Sequence, residues 1–375
     1  MANTVSTDAL RPEIWAKELY ADVMDNLYFT QSGLMGEGSN NIIEVKKDLN
    51  KAQGDQITVG LTAKLSGAGV TGDDELEGNE EAINAYSEAV AIDQQRFAVR
   101  LTGQLDEKKN AYDMRQDAKE KLSIRMQEFI ERQMFLKLGS VSLTTLIDVN
   151  GVTYSAGATW SNTPNQVPTA DSGAGYANRY LCADYTNGAD SLASTDLITP
   201  ELISRCKVKA LLASPKIQPL RINGEAHYVM FIHPWQAYDL KNNATFNQAR
   251  REAEVRGSTN PIFTGALGVW DNVIIKEHEY VPFLDISGGG LTPNNYELAG
   301  TGTDYSADCF RAILCGKQAA VFAQAKNPQG WVEETFDYKN KVGFATGLIG
   351  GIQKLQFNSK DYAVVTLDTA ATTLV

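Results

Sequence analysis

Histidine and cysteine are scarce: three and four residues respectively in a chain of 375, which leaves little material for metal chemistry. Cys182, Cys206, Cys309 and Cys315 form no C-x-x-C pair, and Cys309 and Cys315 are too widely spaced for a zinc knuckle. So few cysteines in so long a chain predict buried thiols in a reducing cytoplasm. His227, His233 and His278 make no H-E-x-x-H. His227 and His233 flank an apolar run, where packing or capping is the expected role. G-x-S-x-G and G-x-x-x-x-G-K-[ST] are also missing, which excludes the nucleophile-elbow and P-loop chemistries. The expectation is a protein that is not an enzyme, with no catalytic, cofactor-binding or metal residues and no cofactor.

Long apolar runs are missing too. No stretch reaches the roughly 18 residues that a membrane-spanning helix needs. The segment MANTVSTDALRPEIWAKELYADVMD has neither a basic nor an apolar region, so it does not read as a signal peptide. Basic charge is in short supply. Of the net charge of −12, −9 falls within residues 1–100. A reader of nucleic-acid grooves would need the opposite balance. With 43% hydrophobic and 21% charged residues the composition is that of a folded globular chain, which excludes disorder and collagen.

What is present changes character along the chain. Ile14, Trp15, Leu19, Val23 and Leu27 recur at helical spacing, and a Gly-rich loop follows from Gln31 to Asn41. Gln56 to Leu65 alternates strictly, with Ile57, Val59, Leu61, Ala63 and Leu65 on one face. Arg96 to Thr102 alternates again, and Ala89 to Ile92 supplies a short strand between them. Residues 43–103 therefore read as a long hairpin with an elaborated tip. Two strands bury little between themselves, so this hairpin needs a cover, and a neighbouring subunit is the economical one.

Asp106 to Leu138 contains no Gly or Pro. Ala111, Met114, Ala118, Leu122, Met126, Phe129 and Gln133 form one narrow stripe, and Gly139 ends the run. The spacing predicts one helix of about 33 residues, roughly 50 Å long. The stripe lacks the a/d heptads of a coiled coil. Residues 140–198 are rich in Ser, Thr, Asn and Gly and read as a surface subdomain or long loop, with a small β module as the alternative. Beyond Pro200, helices are expected at Glu201–Leu212, Trp235–Lys241 and Phe246–Arg256. Buried elements are expected at His227–His233, Val269–Lys276 and Phe310–Phe322, with alternating strands at Lys354–Phe357 and Tyr362–Leu367. The mixture has no βαβ rhythm, so the fold class is α+β.

Two motifs imitate binding sites. Gly67, Gly69 and Gly72 match G-x-G-x-x-G after a strand, but Asp73, Asp74, Glu75 and Glu77 follow at once and would repel a pyrophosphate. Asp73, Glu75, Glu77 and Gly78 fall at four positions of an EF-hand loop, yet the twelfth position is Asn84 in place of a bidentate Glu. A solvated acidic turn is the simpler reading. Between Val70 and Gln95 there are eight acidic residues and no Lys or Arg.

The order of arm, long hairpin, very long helix and α+β body resembles the Hong Kong 97-type phage coat fold. Gly54 to Arg100 (GDQITVGLTAKLSGAGVTGDDELEGNEEAINAYSEAVAIDQQRFAVR), with its LEGNEE core at Leu76 to Glu81, carries the closer match. Phe231 to Asn243, Pro261 to Pro282 and Gly347 to Phe357 add to it. Together they resemble the major capsid proteins of the N-four-like group of tailed phages. The resemblance implies an N-terminal arm (1–42), an extended hairpin or E-loop (43–103) and the spine helix of a P-domain (104–139). It further implies a variable surface region (140–198), mainly an A-domain (199–335), and a return to P-domain strands (336–375). It implies self-assembly as pentamers and hexamers into an icosahedral head around double-stranded DNA, without sequence-specific binding or contact with membrane. Scaffolding, portal and decoration proteins would be partners, and the shell would form in the bacterial cytoplasm. An encapsulin-like compartment is the alternative.

Overall fold

The computed structural model describes residues 22–47, 54–62, 85–109, 114–140, 146–147, 153–154, 179–184, 192–213, 215–222, 224–253, 267–284, 308–326, 332–338, 340–357 and 360–372, with scattered positions between 65 and 83. Two mixed sheets flank a long helix. One has six strands in the order Met35–Gly36, Ile43–Lys46, Ala320–Lys326, Lys341–Lys354, Val332–Phe336, with Asp93–Arg100 also paired to Lys341–Lys354. The other has eight strands and centres on Glu225–Ile232, Cys309–Cys315 and Val364–Thr369. The α+β expectation is met.

A helix is described at Gln104–Lys109 and the long helix at Met114–Leu138; residues 110–113 between them, Ala111 included, lie outside the described set. Its stripe is buried as expected, with Ala118, Leu122, Met126, Phe129 and Gln133 all nearly closed to solvent. From Phe129 onward every residue of the helix is buried, Glu131, Arg132 and Lys137 included. The helix thus starts as a one-sided surface element and ends inside the protein. Gly139 ends it for a reason other than backbone freedom: a Cβ there would sit 2.8 Å from Pro282 Cγ. Ser140 takes the positive φ instead, at 54°.

Residues 22–26 are helical and Tyr28–Gln31 forms a further short turn of helix. Val23, Leu27 and Phe29 are fully buried, and Phe29 packs on Phe135 and Phe231 with ring centroids 5.0 and 5.4 Å away. Glu131 of the long helix accepts the Tyr28 backbone N–H at 2.7 Å. The described part of the arm therefore docks on its own body. Ile14, Trp15 and Leu19 lie outside the described residues.

The hairpin reading needs correcting. The strand opposite Gln56–Thr62 is Ala85–Ala91, in register from Gln56↔Ala91 to Thr62↔Ala85. The Arg96 to Thr102 alternation belongs to a separate strand, Asp93–Arg100, which runs antiparallel to Lys341–Lys354. Alternation says that a strand has two different faces; it does not say which strand lies beside it. Ile43–Lys46, placed in the hairpin by sequence, lies in the six-stranded sheet parallel to Ala320–Lys326.

Beyond the helix, Pro200–Leu212, Pro234–Asn242 and Ala244–Ala253 form where expected. Thr199 caps the first, accepting the Leu202 N–H, and a proline opens it at the first turn. Val269 to Lys276 resolves into two strands, Gly268–Trp270 and Val273–Glu277, joined at Asp271 and Asn272 with φ of 47° and 61°. Such paired positive φ values match the right-handed twist of a two-residue hairpin. The stretch 140–198 is not surface at its described ends. Ser140, Arg179–Cys182, Leu192 and Ile198 are buried, and Tyr180–Cys182 runs parallel to Val364–Thr369 in the eight-stranded sheet.

Candidate assembly surface

The hairpin is anchored at its base and uncovered at its far end. Ile57 and Val90 are buried with Val321, Ala323, Leu355 and Phe357 in a small core of their own. Burial then fades along the strands. Val59, Leu61 and Tyr86 are half-buried, and beyond the last strand pair Leu65 and Ile83 are 51% and 68% exposed. Glu75, Glu77, Glu80 and Glu81 are exposed in the same stretch; Asp73 and Asp74 lie outside the described residues. The sequence expectation of an apolar face with no cover of its own is met at the tip and not at the base.

Behind the hairpin a network of buried charge joins the two sheets to the end of the long helix. Arg311 and Asp368 stand opposite each other on neighbouring strands of the eight-stranded sheet. The guanidinium grips the carboxylate with two bonds, Nε to Oδ1 at 2.8 Å and Nη2 to Oδ2 at 2.7 Å. Its third nitrogen, Nη1, donates to the Gly139 carbonyl at 3.0 Å, satisfying an oxygen beyond the last helical turn. Tyr180 donates its hydroxyl to Asp368 Oδ2 at 3.0 Å. Lys354, at the end of the long strand of the other sheet, donates to Asp361 at 2.7 Å and to the Ser140 hydroxyl. Arg311, Asp368, Lys354 and Asp361 have side chains closed to solvent. Burial lowers the Lys354 ammonium below its ordinary range, and the Asp361 carboxylate opposes that.

The reactive residue types are occupied in packing. His233 caps Pro234–Asn242: its Nδ1 accepts the Trp235 N–H at 3.3 Å, while Gln236 Oε1 accepts the His233 N–H at 3.0 Å. His278 Nδ1 accepts the Tyr280 N–H, and its ring stacks on Phe135 at 4.4 Å. Burial pushes both imidazoles down to about 4. All four cysteines are free and buried, as expected, and burial raises every thiol, Cys182 and Cys206 to about 12. Gly69 and Gly72 have φ of 69° and 72° in a turn; Gly67 and Asn84 lie outside the described residues. Among the described residues no group of three or more His, Cys, Asp or Glu could hold a metal, and no helix is long and apolar enough to cross a membrane.

Residues 3–373 match the family described as phage capsid protein. The chain belongs to that family. A similar relative, the major capsid protein of Pseudomonas phage KPP25, is 28% identical over 372 residues, covering 96% of this chain and 94% of the relative. The capsid of Ralstonia phage GP4 superposes with a TM-score of 0.76 at 27% identity, covering 100% of both chains. The cyanophage Pam1 capsid gives 0.70 at 22% identity over 99% of both, which supports the fold.

The capsid protein therefore has the Hong Kong 97-type α+β fold that its element order suggested, and it self-assembles into the shell of a virion head. These neighbours are phage capsids, so they lend nothing to the compartment alternative. The acidic tip was visible in the sequence as charge. The buried network behind it leaves little trace in the sequence. Its one signal was an Arg in the middle of the apolar run CFRAILC, where an unpaired charge would be too costly to keep.

Proposed function

We propose that the capsid subunits form pentamers and hexamers of an icosahedral head around double-stranded DNA, and that the hairpin is the strap holding neighbours together. One observation carries this reading: a hairpin whose base is buried at Ile57 and Val90 ends in exposed Leu65 and Ile83. The division into arm (1–42), E-loop (43–103), spine helix (104–139), variable region (140–198), A-domain (199–335) and returning P-domain strands (336–375) follows the same reading. Within it, Gln56–Thr62 and Ala85–Ala91 form the strap, and Asp93–Arg100 belongs to the sheet behind it. The subunit works without catalysis, cofactor or metal. An acidic shell binds weakly to the DNA inside, which suits packaging and ejection. Scaffolding, portal and decoration proteins are its partners, and assembly takes place in the host cytoplasm.

The tip acids repel one another until basic groups of a neighbour offset them. Asp→Asn at Asp73 and Asp74 and Glu→Gln at Glu75, Glu77, Glu80 and Glu81 should leave the fold intact and flatten the dependence of assembly on salt. Exposed charges are screened over about 8–10 Å in physiological salt and over less as salt rises, so the parent's assembly should change with added salt. Light scattering against salt compares the two proteins. Coincident curves would mean that the tip faces only solvent.

A further inference from the structure

His233 joins the strand Glu225–Ile232 to the helix Pro234–Asn242, and three rings enclose it. Trp235, Phe283 and Phe310 stand with centroids 5.9, 5.3 and 5.0 Å from the imidazole, and His233 is 1% exposed. Because Nδ1 accepts the Trp235 N–H, the neutral ring carries its proton on Nε2. Among the described residues nothing accepts a hydrogen bond from that Nε2. The cap is also tied to a distant part of the chain. Gln236, whose Oε1 takes the His233 N–H, donates through Nε2 to the Phe310 carbonyl at 3.0 Å and to the Thr369 hydroxyl at 2.7 Å. Further along the helix, Asp239 Oδ2 accepts the Thr372 N–H at 2.8 Å.

A second proton is costly here in three ways. It occupies Nδ1, so the Trp235 N–H loses its acceptor and the cap is lost. It places positive charge at a helix N-terminus, where the dipole repels it. It also leaves a charged ring away from water with no acceptor for either N–H. Among the described residues no charge on the surrounding elements offsets these costs. Cys309 and Arg311 flank Phe310 and so point to the other face of their strand. Tyr238 and Lys241 are exposed on the helix, Lys241 paired with Glu277, and Asp239 holds Thr372. Phe283–Leu284 carries no titratable group, and Glu225 and His227 lie at the far end of the strand leading into the cap. Burial alone moves the imidazole, from its ordinary 6.5 down to about 4.

We infer that His233 is an acid-operated catch: protonated, it lets go of Trp235, and the helix Pro234–Asn242 opens together with the segment Thr369–Thr372 that Gln236 and Asp239 hold. The long helix and the six-stranded sheet keep their structure. The enclosed ring binds a proton less readily than the open one. The closed form is therefore fully favoured above pH 6.5 and loses ground as the pH falls toward 4. Between pH 7 and pH 5 the ratio of closed to open form should drop about twentyfold.

Amide hydrogen exchange of the full chain, corrected for the intrinsic rate at each pH, tests this. From pH 7 to pH 5, protection across Ala237–Leu240 and at Thr372 should fall about twentyfold, while protection within Met114–Leu138 holds. Asparagine is a good cap that takes up no proton. H233N should therefore stay protected at pH 7 and lose the drop at pH 5, whereas H278N should keep the drop. Replacing the histidines with 4-fluorohistidine, near in shape and far less basic, should also abolish it, which covers the case in which H233N does not fold. No drop in the parent, an undiminished drop with H233N or fluorohistidine, or its disappearance in H278N overturns the inference.

Discussion

Arg311→Met is expected to destabilise the capsid subunit by about 3–5 kcal/mol, a large share of the roughly 5–15 kcal/mol that holds an ordinary domain folded. The substitution roughly conserves length but takes away the guanidinium. Asp368 would keep the Tyr180 hydroxyl and lose both charged bonds, in a place closed to water. The Gly139 carbonyl would lose its donor as well, loosening the turn that follows the long helix. Most of the damage comes from the stranded carboxylate. Arg311→Met with Asp368→Leu should therefore recover much of the loss, since a buried pair replaced by apolar groups is often near neutral. Urea unfolding followed by tryptophan fluorescence measures both variants. A single variant within about 1 kcal/mol of the parent, or a double variant worse than the single, would show that the pair does not brace the sheet as described.

Leu122→Asp should abolish soluble, assembly-competent protein. Leu122 is 2% exposed, midway along the stripe between Ala118 and Met126. An unpaired carboxylate there costs several kcal/mol, whether it stays charged or takes up a proton. Leu122→Met nearly conserves volume and should cost less than about 1.5 kcal/mol. Ile124, two residues on and 50% exposed, supplies the matched control: Ile124→Asp should leave the subunit's unfolding curve nearly unchanged. Expression, solubility and unfolding of the three variants decide it. Normal shells from Leu122→Asp would mean that the stripe is not a buried face.

The long helix was legible because its signal is local. The stripe from Met114 to Gln133 repeats every three or four residues, and nothing in the run breaks a helix. The strand Glu225–Ile232 was legible for the same reason, with Pro234 following close behind it. What depends on distant partners was not. Lys341–Lys354, the strand that holds the six-stranded sheet together, contains Gly343, Gly347, Gly350 and Gly351, and glycine weakens every local strand signal. Those glycines make sense only once Arg96 and Ala91 are seen lying across Gly347 and Gly351. Ala85–Ala91 is not legible as the full return strand because one of its faces is built from small residues, Ala85, Ser87, Ala89 and Ala91. Arg311 and Asp368 are 57 positions apart, and no spacing rule joins them. The candidate surface divides in the same way. The acidic tip is a run of sequence, whereas the Arg311–Asp368 pair behind it exists only after two distant strands have paired.

The central claim is that this chain closes into a shell by holding its neighbours with the hairpin, and electron microscopy of the purified full chain under physiological salt tests it most directly. Closed shells of uniform diameter, with density for the hairpin lying across an adjacent subunit, are the predicted result. Discrete small particles, flat lattices, or shells in which each hairpin lies on its own subunit would contradict it.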